Sequence, residues 1–386
     1  MNARLEVAML IQGYLPRVGG AERQLAYVAP LLQAQKVRVD VITRRYPGLT
    51  AFEVVNGVPV HRMPVPGPKA LASLSYTVAT VSLLRRLRPN VVHAHEMFSP
   101  ATTALAARAV LGCAVVVTAH RSGVLGDVYR LQHRALGAQR INALRRNVDA
   151  FVTISREIDS ELEAVGIPAE KRVFIPNGVD TERFAPLPPD KKQVMRGMLG
   201  LPADAPIVIF TGRLAPEKQL DKLVLLWPAV RARVPDAVLL IVGTGDELPG
   251  LKTLAEAGVR FAGPVENVAQ YLQAADMFVL PSLAEGLSVA LLEAMAAGLA
   301  AVATSVGGTP EVIEHEATGW LAPPSDSAAL RDSLITLLNN PDCRIRLGQR
   351  ARERIIRDYT LSASVVKLRG LYEVVSERAA QKRGPS

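Results

Sequence analysis

Short runs rich in Val, Ile and Ala, alternating with longer stretches of helical pattern, constrain this chain more than any other feature. Such alternation is the signature of βαβ units that stack into a parallel sheet buried on both faces. A first set of runs reads LEVAMLI, VRVDVIT, VPVHR, NVVHAH, CAVVVTA and AFVTIS, and a second reads PIVIFTG, AVLLIVG, VRFAG, DMFVLPS, AAVATS and WLAPP. Between them lies IPNGVDTERFAPLPPDKK, where Asn177-Gly178 marks a turn and Pro186, Pro188 and Pro189 oppose a continuous helix or central strand. That stretch reads as a domain linker. The expected fold is α/β, with two tandem doubly wound Rossmann-like domains whose ligand sits at the carboxyl ends of the strands, facing an interdomain cleft. From Ser362 onward the stretch VVKLRGLYEVV is amphipathic and is expected to pack, and the tail QKRGPS to fray.

The totals agree with two cores, because 386 residues at 49% hydrophobic are too many for one ordinary core and too apolar for disorder. The opening LEVAMLI, flanked by Arg4 and containing Glu6, reads as a strand rather than a leader. The apolar runs AVLGCAVVVTA and that following Glu293 fall short of the roughly 18 to 20 residues a spanning helix needs. Cys113 and Cys343 stand far apart, without disulfide or metal-ligand spacing, which fits a reducing cytoplasm.

The net charge of +9 is uneven: residues 1–180 hold 22 Lys/Arg against 13 Asp/Glu, and residues 181–386 hold 23 of each. Residues 121–146 carry Arg121, Arg130, Arg134, Arg140, Arg145 and Arg146 with Asp127 as the single acid. This patch would attract anionic lipid headgroups, a phosphorylated acceptor or nucleic acid, and a solvated basic face accounts for it equally well. Nucleic acid fits least, for no basic-aromatic interleaving, zinc motif or helix-turn-helix signature accompanies the charge.

Chemistry concentrates in two motifs of the second half. In DMFVLPSLAEGLSVALLEAMAAG a strand ends at Pro281, a loop carries Glu285 and Gly286, and a helix begins near Ser288 and carries Glu293. Free amides of Leu287 and Ser288 at that helix start suit a diphosphate without a metal, Glu285 suits sugar hydroxyls, and Glu293 suits a ribose. Two ordinary solvated acids explain the spacing alone just as readily. In FTGRLAPEKQLDKL, Arg213 and Lys218 follow the strand end, where a guanidinium fork and an ammonium can neutralise a departing nucleoside diphosphate as a divalent metal does elsewhere. Local pairing with Glu217 and Asp221 is the plainer alternative.

The first half offers weaker signals. Gly19-Gly20 in GYLPRVGGAERQL permits close backbone approach to an anion but lacks P-loop and dinucleotide spacing, as does Gly243-x-Gly245 before Asp246. His120 closes CAVVVTA at its carboxyl end, where it can bind a sugar hydroxyl or move a proton, although a structural role suits a lone His. His93 and His95 share one strand face, with Glu96 on the other, and are too poorly accompanied for a metal site.

Taken together, GRLAPEK, EGLSVALLEAMAAG, GGTPEVIEHEATGWLAPPSD, IPNGVDTERF and the early GG loop resemble the family-four retaining glycosyltransferases of the GT-B fold. The likeness spans nearly the whole chain and is strongest over residues 175–325. It implies an acceptor-binding domain over residues 1–178, a nucleotide-sugar-binding domain over 179–358, and a final helix, 359–386, packing back on the first. It further implies that Glu285 contacts the donor sugar and Glu293 the ribose. Arg213, Lys218 and the amides after Gly286 would hold the diphosphate, His120 would contact the sugar, and Gly19-Gly20 would approach phosphates and acceptor. VRFAGPVEN would lie beside the base. Where many relatives carry Phe-Gly after Glu-Gly, this chain has Leu287-Ser288, which leaves donor choice open.

The implied activity is transfer of a sugar from a nucleotide diphosphate sugar to an acceptor hydroxyl with retention, needing no metal or other cofactor, in surface polysaccharide or glycolipid assembly. The implied setting is cytoplasmic, at the inner face of the membrane if the basic half touches anionic lipid. A nucleotide-sugar epimerase of the same architecture and a non-catalytic sugar-nucleotide binding protein are the alternatives.

Overall fold

The computed structural model describes residues 5–17 and 19–383. Arg4 and residues 384–386 of the expected fraying tail lie outside the described residues, whereas residues 381–383 continue a helix. Two compact units emerge: unit one comprises the chain up to Pro176 together with the segment from Ser362, and unit two is Asn177–Leu361.

Unit one is built on β1 (Glu6–Leu10), β2 (Arg38–Arg44), β3 (Phe52–Val55), β4 (Val58–Met63), β5 (Val91–His95), β6 (Ala114–Ala119), β7 (Ala150–Thr153) and β8 (Arg172–Phe174). They form one sheet in the order β3-β4-β2-β1-β5-β6-β7-β8, parallel except for the β3/β4 pair. Unit two holds β9 (Ile207–Thr211), β10 (Val238–Val242), β11 (Val259–Gly263), β12 (Met277–Leu280), β13 (Ala300–Thr304) and β14 (Trp320–Ala322). Its order is β11-β10-β9-β12-β13-β14, parallel throughout. Strand order reverses at β1 in one unit and at β9 in the other. Side chains leaving the carboxyl ends of β1/β5 and of β9/β12 therefore stand at the crevices where doubly wound sheets receive ligands.

Burial explains why the sequence runs read as they do. Every residue of β5, β6, β9, β10 and β13 is buried, so these strands show no polar face and contribute roughly 1.5–3 kcal/mol per large apolar side chain. The edge differs. β4 alternates buried and half-buried residues, and β3 leaves Phe52 and Val54 exposed. The hairpin between them turns on Asn56 and Gly57, both at positive φ (50° and 79°), the geometry that an Asn-Gly pair adopts with least strain. Neither β3 nor the three-residue β8 belongs to the runs read from the sequence, because both are short, partly exposed edge strands.

From Asn177 onward the proline-rich connection is packed within unit two. Asn177 Nδ2 donates to the Leu287 carbonyl at 2.9 Å, Gln273 Nε2 donates to that of Ala185 at 2.8 Å, and Phe184 is fully buried. Pro189 opens the helix Pro189–Met198 at a first-turn position, where its missing N–H costs nothing. Val179 N–H donates to Tyr359 O (2.9 Å) and Leu361 N–H to Val179 O (3.0 Å), and a Cβ on Gly178 would stand 2.6 Å from the Leu361 Cα. The helix Leu361–Arg383 then continues into unit one, where Val365, Tyr372 and Val375 are buried.

Candidate active site

At the β9/β12 crevice of unit two the backbone is drawn together by glycines. A Cβ on Gly243 would collide with the Gly212 carbonyl, one on Gly245 with that of Leu214, and one on Gly307, at φ 56°, with that of Glu285. Leu214 N–H donates to Thr244 O (3.0 Å), Leu283 N–H to Glu217 O (2.8 Å) and Gly308 N–H to Gly286 O (2.6 Å). The loops after β9, β10, β12 and β13 are thus stitched into one rim, and the Gly243-x-Gly245 pair serves close backbone approach between neighbouring loops.

On this rim Lys218 meets Glu285. The ammonium lies 2.5 Å from Glu285 Oε1, which also accepts the Ser282 hydroxyl at 2.6 Å, and Thr304 Oγ1 donates to the Ser282 carbonyl. The carboxylate side chain is 8% exposed and the lysine 19%, so removing either partner would strand a charge in a poorly solvated place. Arg213 takes a different partner, Glu217, at 2.8 Å across the turn, and remains half in solvent. Ser288 is the N-cap of the helix Val289–Ala296, its Oγ accepting from Leu291 N–H at 3.3 Å, and Leu287 and Ser288 are buried. Glu293, on the same helix, is wholly enclosed and engaged within the protein. The sequence-derived residues of unit two therefore divide: Lys218, Glu285 and Gly286 share the rim, Arg213 flanks it, and Glu293 lies beneath it.

In unit one the residues at the carboxyl ends of β5 and β6 form a stack in which His93 and His95 are buried and His120 half-buried. The rings of His93 and His95 lie 4.4 Å apart, and those of His95 and His120 5.2 Å. His93 Nδ1 meets the Tyr372 hydroxyl at 2.6 Å and Nε2 the Thr118 hydroxyl at 2.7 Å, while His95 Nδ1 and His120 Nε2 share one proton at 3.0 Å. Burial drives all three imidazoles to the neutral form: His95 is lowered to about 4, and His93 and His120 fall well below the ordinary value, with neighbouring rings adding to the effect.

Carboxylates nearby are shifted the other way. Glu96, held at φ 79°, is raised to about 7 by burial and by Asp127 and Glu22, and Asp127 is raised to about 6 by burial although it accepts the Met97 N–H at 3.1 Å. Gly19 and Gly20 open the helix Gly20–Ala34, and the Glu22 carboxylate folds over Gly19 so closely that a Cβ there would collide with it. An anion approaching this loop has to displace that acid. The loop itself is tied to β3 and β4 by the fully buried Arg62 of β4, whose Nη2 donates to Leu15 O at 2.6 Å while pairing with Glu53 of β3 at 2.5 Å. Arg62 and Glu22 escaped the sequence reading, which named His95 and Asp127 without the partners they have here; for Arg62 the one available signal was a cation closing an otherwise apolar strand run.

Among the described residues, no group of three His, Cys, Asp or Glu stands where it would hold a metal ion, and no helix is long and apolar enough to cross a membrane.

A family model described as Glycosyltransferase Family 4 matches residues 18–183, and one described as Glycosyl transferases group 1 matches residues 205–340. The chain is 30% identical over 366 residues to a GDP-mannose-dependent alpha-(1-6)-phosphatidylinositol monomannoside mannosyltransferase of Mycolicibacterium smegmatis, covering 89% of this chain and 92% of that protein. It is 36% identical over 198 residues to a GDP-mannose-dependent monoacylated alpha-(1-6)-phosphatidylinositol monomannoside mannosyltransferase of Corynebacterium glutamicum, a match of 48% of this chain and 52% of the relative. A sucrose-phosphate synthase from Thermosynechococcus elongatus has the same fold, with a TM-score of 0.82 over 96% of this chain and 99% of that one, at 24% identity. The chain belongs to glycosyltransferase family four and has the GT-B fold.

Proposed function

We propose that this glycosyltransferase moves a hexosyl group from a nucleoside diphosphate sugar to an acceptor hydroxyl with retention of anomeric configuration. The observation that carries the assignment is the Lys218–Glu285 pair, held by Ser282 on a rim of crowded glycines at the switch point of unit two. A diphosphate is the ligand that would draw the ammonium from its carboxylate partner, with Arg213 adding a second cation and Gly286, Leu287 and Ser288 lining the approach. Glu285, released, would accept hydrogen bonds from the sugar. The ribose falls to Glu293, whose enclosed carboxylate must exchange its present protein contact for the hydroxyls.

In unit one, neutral His120 is suited to hydrogen bonding with the sugar and Gly19-Gly20 to close approach by phosphates or acceptor. The acceptor oxygen bonds to the anomeric carbon on the face from which the diphosphate departs, and its proton passes to the departing phosphate oxygen. The cations carry the leaving charge, and the reading requires no metal for that step. The names of the mannosyltransferase relatives support GDP-mannose and a lipid-linked acceptor as the first substrates to test, in glycolipid or surface polysaccharide assembly. The basic half of the sequence would place such a chain at an anionic, cytoplasmic membrane face.

The experiment is incubation with UDP-, GDP- and ADP-sugars, reading melting-temperature shift, acceptor-dependent diphosphate release and the product anomer by proton NMR. Stabilisation by one donor class and a retained anomer are expected. An inverted product would end the same-face mechanism, and donor turnover unchanged by acceptor, yielding an isomeric nucleotide sugar, would favour epimerisation.

A further inference from the structure

Helix Ser99–Leu111 of unit one begins just beyond the carboxyl end of β5 and carries no side-chain cap. Four guanidinium groups from separate stretches of chain gather on its first turn. Arg44, the last residue of β2, donates from Nη2 to Ser99 Oγ at 3.1 Å, and Ser99 Oγ lies 3.4 Å from Ser73 Oγ. Arg140 Nη2 donates to Thr102 Oγ1 at 3.1 Å. Arg130 and Arg134 both stand over the Phe98 ring, each 4.8 Å from its centroid. Arg130 feels Asp127 and Glu96 at longer range, yet among the described residues none of the four forms an ion pair with a carboxylate.

This arrangement opposes the usual electrostatic preference. Helix starts favour negative charge, and like charges held together repel. Burial and the neighbouring Arg134 lower the pKa of Arg140, the direction expected of a cation lacking compensation. Each anchored guanidinium spends one nitrogen on a hydroxyl and retains further N–H donors in a planar fork that matches phosphate oxygens. The cluster also lies beyond the carboxyl ends of β2 and β5, the edge of the sheet to which His120 and the Gly19-Gly20 loop belong.

We propose that this turn binds a phosphoryl group carried by the acceptor, held by Arg44, Arg130, Arg134 and Arg140 with the hydroxyls of Ser73 and Ser99 beside it. The assignment rests on the transfer reading for the word acceptor, and on the arginine geometry alone for the phosphoryl group. The ester is either a lipid headgroup or a soluble sugar or polyol phosphate, since both present the same oxygens.

Inorganic phosphate is titrated calorimetrically into the full chain as wild type, R130Q/R134Q, R44Q/R140Q and K218A. Each arginine pair is expected to weaken phosphate binding by at least about tenfold, and K218A to retain it. Arg130 and Arg134 are exposed, so their replacement should leave folding intact, and an unchanged melting shift with nucleoside diphosphate checks this. R130K/R134K, keeping charge without the fork, should fall between wild type and the glutamine pair. Phosphate binding that ignores the arginines and vanishes in K218A, or no binding by wild type, overturns the site. Vesicles of phosphatidylglycerol in phosphatidylcholine separate the two sources: pelleting that inorganic phosphate displaces and R130Q/R134Q loses assigns a headgroup, whereas glycerol 1-phosphate binding without pelleting assigns a soluble ester. Absence of transfer from every donor would remove the transfer reading while leaving phosphate binding untouched.

Discussion

The ligand-facing edges of the two sheets follow opposite electrostatic plans. In unit two the charges are kept and paired: Lys218 with Glu285, Arg213 with Glu217, on a rim where glycines let carbonyls crowd. In unit one, around the ends of β5 and β6, burial suppresses charge: three imidazoles stay neutral to low pH, and Glu96 and Asp127 hold protons well above the usual carboxylate range, while the four arginines at the start of helix Ser99–Leu111 keep their charge without a carboxylate partner among the described residues. An edge of paired ions exchanges partners when an anion arrives. The neutralised groups of unit one offer hydrogen bonds without a charge to displace, which suits contact with uncharged hydroxyls, and the arginines beside them meet an anion without first releasing a carboxylate.

The sharpest way to break this contrast is Lys218→Ala. Turnover should fall by about 10²- to 10³-fold, as for loss of one transition-state donor, and stability by about 3 kcal/mol because Glu285 loses its ammonium partner in a poorly solvated place. The double variant K218A/E285A should regain stability without regaining turnover; a single variant that melts like wild type would show the pair to be no more than a surface contact. Gly307→Ala tests the crowded rim. Its Cβ would strike the Glu285 carbonyl from a left-handed backbone, so a loss of about 3 kcal/mol in urea denaturation is expected, together with weakened donor stabilisation.

For unit one the corresponding probe is Glu96→Gln. A glutamate that titrates at 4.5 when unfolded and at about 7 when folded holds its proton longer in the native state. Stability therefore drops as pH rises from about 4.5 to about 7, and the cost is complete above that window. The variant should lack this loss and gain on the order of 2 kcal/mol at pH 8 relative to pH 4.5 in calorimetry. His95 works in the opposite sense, since the unfolded state takes up its proton between 6.5 and about 4; the acid-side decline should survive the substitution. Parallel pH profiles for wild type and variant would mean that Glu96 is solvated. The smallest effect is expected from Tyr372→Phe, which removes the hydroxyl bonded to His93 and should cost about 1 kcal/mol by denaturant titration.

The same contrast explains what could be read from the sequence. The strands of both sheets announce themselves because burial on two faces demands unbroken apolar runs, as in VVVTA and VIFT. The residues of unit two were legible because glycines and charges in fixed order around Arg213, Lys218 and Glu285 leave a mark in one dimension. In unit one Gly19-Gly20, His93, His95 and His120 were named, but the partners that hold the histidines were not. The proton shared by His95 and His120 joins adjacent strands 25 residues apart in sequence, and the Tyr372 contact to His93 spans 279. Arg62 closes the run VPVHR, and the Leu15 carbonyl that it meets lies 47 residues earlier in the chain. Asn56-Gly57 was a hairpin signal, but the exposed strand before it, AFEVV, was too short to register as a partner.

One feature of the connectivity reaches beyond the site. Because Tyr372, Val375 and Ala379 complete the interior of unit one, that unit is assembled from segments that precede and follow unit two along the chain. During translation, unit two emerges whole while its predecessor still awaits the helix Leu361–Arg383, leaving His93 without its phenol until residue 372 has been made. A ribosome stalled before residue 362 would hold one finished lobe and one unsealed lobe, and the unsealed lobe is where chaperones and proteases should be found at work.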